Sequence, residues 1–322
     1  MSSPLPASSL APTKIVIPDL VSHCTIPVRC NRHNKQASVE SKQWLFRGGD
    51  LSQKKRDAFH GLKAGYLTSM CYPLSGFPQL RMDDRGTLGS AIKVMDPLYH
   101  PHSSRPTSRV GKMTKDYWQR LIQTASPGAQ QRFIETFDMF FQAITEQARD
   151  RANGVIPDLE SYIAIRRDTS GCKPCWALIE YANNLDLSWE VMDHPIIRGL
   201  GEAANDLVTW SNDIFSFNVE QSKGDTHNMI IVVQKQQGLD LQSAVDFVGD
   251  LCKHSIDRFH FLRENLPSWD PETDQQVAVY VDGLADWITG SLKWSFESER
   301  YFGKQGLEVK RTRVVTLLPR RA

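Results

Sequence analysis

The stretch Asn212-Asp213-Ile214-Phe215-Ser216-Phe217-Asn218-Val219-Glu220, continued by Gln221-Ser222-Lys223-Gly224-Asp225-Thr226-His227-Asn228, carries the most information in the chain. A helix turns about 100° and rises about 1.5 Å per residue, so positions 212, 216 and 220 drift only ~40° and climb ~6 Å at each step. They form one polar stripe, while Trp210, Ile214, Phe215, Phe217 and Val219 are free to pack elsewhere. The stripe offers an amide oxygen, a hydroxyl and a carboxylate. Three hard donors with a single formal charge suit a Mg²⁺ that completes its shell with water and phosphate. Taken alone, the triple is equally compatible with a solvated helix face.

Outward from this helix the pattern stays helical. Trp44, Leu45, Leu51, Phe59, Leu62, Tyr66 and Leu67 recur at helical period from Glu40, with Gly48 and Gly49 as a break. The spacing predicts further helices at about 113–124, 127–151, 158–182, 197–221, 240–265 and 272–302, each bounded by Pro, Gly, Asn or Asp. Ile230 to Val233 is a short β-branched run, but it lacks a partner strand and reads as part of a buried helix. The expected class is all-α, a bundle with a core cavity, without an internal repeat. Residues 1–39 read as an extended strap whose Ile15, Ile17 and Leu20 pack on the body. Residues 40–303 read as the helical domain. Residues 304–322, with Lys304, Lys310, Arg311, Arg313, Arg320 and Arg321 against Glu308, read as a basic, solvated tail or a flap over an anionic ligand.

Composition narrows the function. The 322 residues carry Lys+Arg 38 against Asp+Glu 37, a formal charge of +1, with 40% hydrophobic and 23% charged residues. There is no basic field for nucleic acid, and the apolar runs fall short of the ~18 residues that cross a bilayer. Met1 to Pro12 lacks a basic start and an apolar core, so no secretory leader is expected and the chain is placed in the cytoplasm. Cys24, Cys30, Cys71, Cys172, Cys175 and Cys252 read as reduced thiols. Cys172-x-x-Cys175 lacks the second pair or the spaced histidines of a zinc site. Gly199-Leu200-Gly201-Glu202-Ala203-Ala204 fits a loose dinucleotide fingerprint without its βαβ surroundings.

The segment from Asn212 to Glu220 resembles, residue by residue, the NSE/DTE metal motif of class I terpene synthases. Arg166-Arg167-Asp168-Thr169-Ser170-Gly171 is similar to the stretch in which that family keeps a diphosphate-sensing arginine and a helix break; Arg166 stands 46 residues before Asn212. Arg300-Tyr301-Phe302 looks like the family's Arg-Tyr pair. Ile17-Pro18-Asp19-Leu20, Asn31, Trp44 and Tyr99-His100-Pro101-His102-Ser103-Ser104-Arg105-Pro106 resemble fungal sesquiterpene synthases in particular. The likeness covers about residues 14–318. It implies a helical bundle around a central cavity that ionises farnesyl diphosphate with Mg²⁺ and cyclises the cation. On that reading Asn212, Ser216 and Glu220 ligate the metal, and Arg166, Arg300 and Tyr301 hold the diphosphate. Lys223 and Asp225 stand behind the ligands, and the chain works as a monomer or homodimer. Each of Arg166, Arg167 and Arg300 also has an ordinary reading as an ion-paired or surface arginine.

The likeness fails at one place. The family carries an aspartate-rich DDxxD or DExxD helix between a segment like Tyr72 to Arg81 and one like Val94 to Leu98, and here only Met82 to Lys93 joins them, roughly twenty residues short. Asp83-Asp84-Arg85-Gly86-Thr87 is the only acidic pair nearby and lacks the third acid; it reads as the start of the next helix rather than as a makeshift metal site. Losing these ligands costs several kcal/mol of transition-state stabilisation, hence orders of magnitude in rate. Two readings follow: a synthase impaired by the loss, or a non-catalytic relative with a residual diphosphate site. A chain-elongating prenyltransferase is disfavoured, because such enzymes carry two aspartate-rich motifs.

Overall fold

The computed structural model describes residues 14–47, 52–72 and 87–320. Strand β1 (Lys14–Val16) is followed by α1 (Leu20–His23), α2 (Asn34–Arg47), α3 (Gln53–Leu62), α4 (Ala64–Cys71), α5 (Thr87–Tyr99) and α6 (Arg109–Leu121). Then come α7 (Pro127–Ala152), α8 (Leu159–Thr169), α9 (Cys172–Ala182), α10 (Trp189–Met192) and α11 (Pro195–Ser222). The chain continues through α12 (Met229–Gln237), α13 (Leu241–Glu264), α14 (Pro271–Glu297) and α15 (Gly306–Thr312) to strand β2 (Val314–Thr316). The chemistry of the helix starts is local. Asp158, Asp240 and Asp270 cap α8, α13 and α14 by accepting main-chain N–H bonds at Ser161, Ser243 and Thr273. Pro127, Pro195 and Pro271 occupy first-turn positions where no N–H is needed.

α11 is the axis of the bundle and packs against α13, α14, α12, α8 and α9. Leu200, Ala203, Ala204, Leu207, Ile214 and Phe215 are buried around it, as expected of a helix enclosed on several sides. It also buries Asn205, Asp206, Thr209, Ser211, Asp213 and Ser216, an unusual density of polar groups for a core helix. The decoy fingerprint Gly199 to Ala204 lies inside α11, with no turn at all. Ile230, Val232 and Val233 are buried in α12.

Four sequence expectations need correction. The helical stretch 158–182 is two helices, broken at Ser170 and Gly171, where glycine adopts φ 70°. The stretch 272–302 ends as a helix at Glu297, with Ser298 extended. Helix begins again at Asn34, ahead of Glu40. The basic tail is not free: Gly306–Thr312 is helical and Val314–Thr316 pairs antiparallel with Lys14–Val16, matching Lys14 to Thr316 and Val16 to Val314. Strands this short carry no periodic signal, which is why the sequence hid them. Ile15, Ile17 and Leu20 are only 1–2% exposed, and Pro18 sits where a Cβ on Gly249 of α13 would come within 2.8 Å of its ring.

Candidate metal and diphosphate site

The last three turns of α11 carry Asn212, Ser216 and Glu220 on one stripe. Neighbouring elements bring the other groups to it. From α8, Arg166 donates through Nη2 to Asn212 Oδ1 at 2.9 Å and to Asp213 Oδ1 at 2.8 Å, and through Nε to Asp213 at 3.1 Å. From the turn after α14, Tyr301 Oη accepts from Asn212 Nδ2 at 2.6 Å. A guanidinium can only donate, so the atom of Asn212 that faces Arg166 is oxygen and the amide nitrogen faces Tyr301. The orientation of Asn212 is thereby fixed by its two neighbours.

Asp213 is the hub beneath this pair. Its buried carboxylate also accepts from Tyr162 Oη at 2.6 Å and from the Met229 main-chain N–H at 3.2 Å. Arg166 is largely buried beside it; desolvation is the largest single influence on its guanidinium and opposes the charge, but the Coulombic pull and hydrogen bonds of Asp213, with Tyr162 and Glu220, together outweigh it and hold the charged form. Asn228, the cap of α12, donates to the Asp213 carbonyl at 2.7 Å and to Glu220 Oε2 at 2.9 Å. Burial raises the Glu220 carboxyl above its ordinary value, offset in part by this bond from Asn228. Ser216 Oγ is buried and forms no hydrogen bond; Glu220 lies near enough to feel the hydroxyl but not in bonding geometry.

These donors fit a hard divalent cation. An orphaned buried hydroxyl is uncommon in a core, and here it lies on the stripe between an amide oxygen and a carboxylate, where an oxygen-seeking ion would satisfy it. Among the described residues no group of three His, Cys, Asp or Glu is assembled for a metal, so a centre here rests on the mixed set from α11. Cys172 is buried in the first turn of α9, and Cys175 Sγ faces the Gly171 carbonyl, so this pair is part of the helix break.

Of the residues singled out from the sequence, Asn212, Arg166 and Tyr301 are joined in one hydrogen-bonded chain. Arg300 is not: it is exposed, and its guanidinium lies 5.6 Å from the centroid of the Tyr301 ring. Arg167 is taken up by a two-point bond to Asp206, 2.7 Å on each side. Lys223 is an exposed helix cap. Asp225 turns to Arg151, 3.8 Å away, and to the His227 main chain. Neither supports the ligand side chains; Asn228 does. Tyr162, Asp213 and Asn228 were missed. Tyr162 stands four residues before Arg166 on the same helical face, and Asp213 lies inside the quoted motif, so both carried a signal. Asp83 and Asp84 lie outside the described residues.

Residues 79–258 match the family described as terpene synthase family 2, C-terminal metal binding. Sesquiterpene synthase 1 of Postia placenta is 82% identical over 340 aligned positions that take in all of both chains. That span exceeds this chain's 322 residues by 18 positions. Sesquiterpene synthase Agr1 of Cyclocybe aegerita is 64% identical, over 98% of this chain and 97% of its own. The solved structure of a-eudesmol synthase shares the fold, with a TM-score of 0.76 over 84% of this chain and 97% of that one at 19% identity. No helix among the described residues is long and apolar enough to cross a membrane. With more than half its length matched by the family and relatives this similar from end to end, the chain belongs to the class I terpene synthase family, in its fungal sesquiterpene synthase branch.

Proposed function

We propose that the chain is a sesquiterpene synthase, a carbon–oxygen lyase that ionises farnesyl diphosphate with Mg²⁺ and cyclises the resulting cation. The observation that supports this reading is the hydrogen-bonded chain Arg166–Asn212–Tyr301, which joins two candidate diphosphate donors to a candidate metal ligand on the helix of Ser216 and Glu220. Asn212 Oδ1, Ser216 Oγ and the Glu220 carboxylate would hold the ion. Bound Mg²⁺ supplies Lewis acidity that neutralises charge on the departing diphosphate.

The protein's own groups perform the remaining tasks. In the reaction the C1–O bond breaks heterolytically, diphosphate leaves with the electron pair, and the cation ends by losing a proton or capturing water. Arg166 is held through Nε and Nη2 by Asp213 and Asn212, with Tyr162 buttressing Asp213, which leaves Nη1 to donate to phosphate oxygens. Tyr301 accepts from Asn212, which leaves its own hydroxyl proton to donate. Arg300, exposed beside it, can swing to the same oxygens.

A second reading, a non-catalytic relative that keeps a diphosphate site, is favoured by the 18 positions this chain lacks relative to the Postia relative. The test incubates the purified chain with farnesyl diphosphate and Mg²⁺, with extraction and gas chromatography–mass spectrometry beside a Glu220→Gln control. A cyclic hydrocarbon or alcohol made by the wild type and not by the control supports the synthase. A folded chain that binds inorganic diphosphate and yields no product supports the second reading.

A further inference from the structure

Glu220 stands two residues from the end of α11. The N–H groups of Lys223, Gly224 and Asp225 cap the last carbonyls of α11, but a backbone cap does not fix where the terminal turn lies, terminal turns open first, and a metal ligand must be held to about 0.5 Å. On the inner side Asn228 restrains this turn, bonding both the Asp213 carbonyl and Glu220. The outer side is restrained by the far end of the chain. Asn218, two residues after Ser216 and two before Glu220, points roughly 200° away from each of them. Its Nδ2 donates to the Thr316 carbonyl at 3.1 Å and its Oδ1 accepts from the Leu318 N–H at 2.7 Å. One turn on, Gln221 Nε2 donates to the Leu318 carbonyl at 2.8 Å.

These side chains act as a third strand. The ribbon formed by β1 and β2 has two outer edges, and each is completed by an amide side chain from a different helix. On the β1 edge Gln242 of α13 accepts from Val16 N–H at 2.8 Å and donates to its carbonyl at 2.9 Å. On the β2 side Asn218 does the same for Thr316 and Leu318. The ribbon is itself well anchored, with Ile15, Ile17 and Val315 buried and the Ile17 N–H bonded to the Arg313 carbonyl at 2.8 Å. It therefore offers α11 a fixed point on its solvent side.

We propose that Asn218 and Gln221 are positioning residues of the metal centre, which hold the final turn of α11, and with it Glu220, by clamping the main chain of residues 316–318. The inference rests on the assignment of Asn212, Ser216 and Glu220 as metal ligands. Gln242 supplies a matched control, because it makes the same two-point contact to the same ribbon but belongs to a helix without metal ligands.

The experiment titrates the full-length protein with Mn²⁺ in the presence of inorganic diphosphate, following bound metal by electron paramagnetic resonance. Wild type, Asn218→Leu, Gln221→Leu, Gln242→Leu and Glu220→Gln are compared, each with its melting temperature. Asn218→Leu is expected to weaken Mn²⁺ binding about tenfold, the size of one or two lost hydrogen bonds. Gln221→Leu shifts it in the same direction by less, and Gln242→Leu leaves it within about twofold while lowering the melting temperature as much as Asn218→Leu does. Equal Mn²⁺ binding by Asn218→Leu and wild type, with Glu220→Gln defective, overturns the clamp alone. Equal weakening by Asn218→Leu and Gln242→Leu also overturns it, since the ribbon then acts only on general stability. A wild type that binds no Mn²⁺, or a Glu220→Gln that binds it normally, overturns the ligand assignment and the clamp together.

Discussion

Replacing Asp213 with asparagine tests the hub of the site. The carboxylate accepts four bonds, two from Arg166, one from Tyr162 and one from the Met229 N–H. An amide can keep oxygen toward only one side. With oxygen toward Arg166, the new NH₂ faces Tyr162, whose hydroxyl can rotate to accept, and the Met229 N–H, which cannot. One buried N–H is then orphaned and the Arg166 charge loses its counterion. Breaking a buried pair from one side costs about 3–5 kcal/mol. At about 2.1 cal/mol/K of unfolding entropy per residue, a chain of 322 residues loses about 6 °C of melting temperature for a 4 kcal/mol change. Scanning calorimetry of Asp213→Asn, Arg166→Met and the double variant measures it. The double variant should recover much of the loss, because removing both partners leaves no unpaired charge. A single variant that melts within about 1 °C of wild type, or strict additivity in the double, would refute the reasoning.

Other consequences are open to measurement. Gly249→Ala places a Cβ 2.8 Å from the Pro18 ring, which overpacks the strap by about 1–3 kcal/mol; hydrogen exchange at the Ile17 amide should quicken, and unchanged protection would count against the contact. His227 is pushed down to about 4 from 6.5 by burial, with the Arg166 charge adding to the shift. The unfolded chain therefore takes up this proton first, and the contribution of His227 is lost as pH falls from 6.5 through 4, by up to about 3 kcal/mol. Urea unfolding of His227→Phe should show a shallower acid loss than wild type, and parallel curves would dismiss the effect. Asp286, raised to about 6 by burial despite its bond from Arg29, has the opposite sign. Its contribution is complete below 3.8 and disappears as pH rises through 6, so Asp286→Asn should steepen the acid loss between these values.

Much of this architecture was legible in residue order because its signals are periodic. The stripe 212, 216, 220 and the apolar residues between them define α11 without any tertiary knowledge, and the β-branched run at 230 was rightly placed in a helix by its lack of a partner strand. Ser170-Gly171 was legible as a break only through the family likeness, since periodicity runs straight across it. The ribbon was illegible for a physical reason. Three-residue strands carry no alternation, and the pairing of Lys14 with Thr316 joins opposite ends of the sequence, a contact that local pattern does not encode. The site divided in the same way. Arg166 and Tyr301 are legible only through the family likeness, whereas the role of Asn228 depends on α12 turning back over α11, a contact between elements that no local pattern encodes.

The bond from Arg166 to Asn212 has a further consequence. On the proposed ligand set, Asn212 Oδ1 already accepts from the Arg166 guanidinium, and a cation that used the oxygen's second lone pair would sit beside that positive charge. On the same reading, an arriving diphosphate would offset that charge and draw the guanidinium toward itself. Cation and anion are then linked guests: each raises the affinity for the other by the same factor, because the total free energy does not depend on the order of arrival. On that reading a chain without its anion would hold metal only loosely, and the substrate would summon the ion that helps to break it.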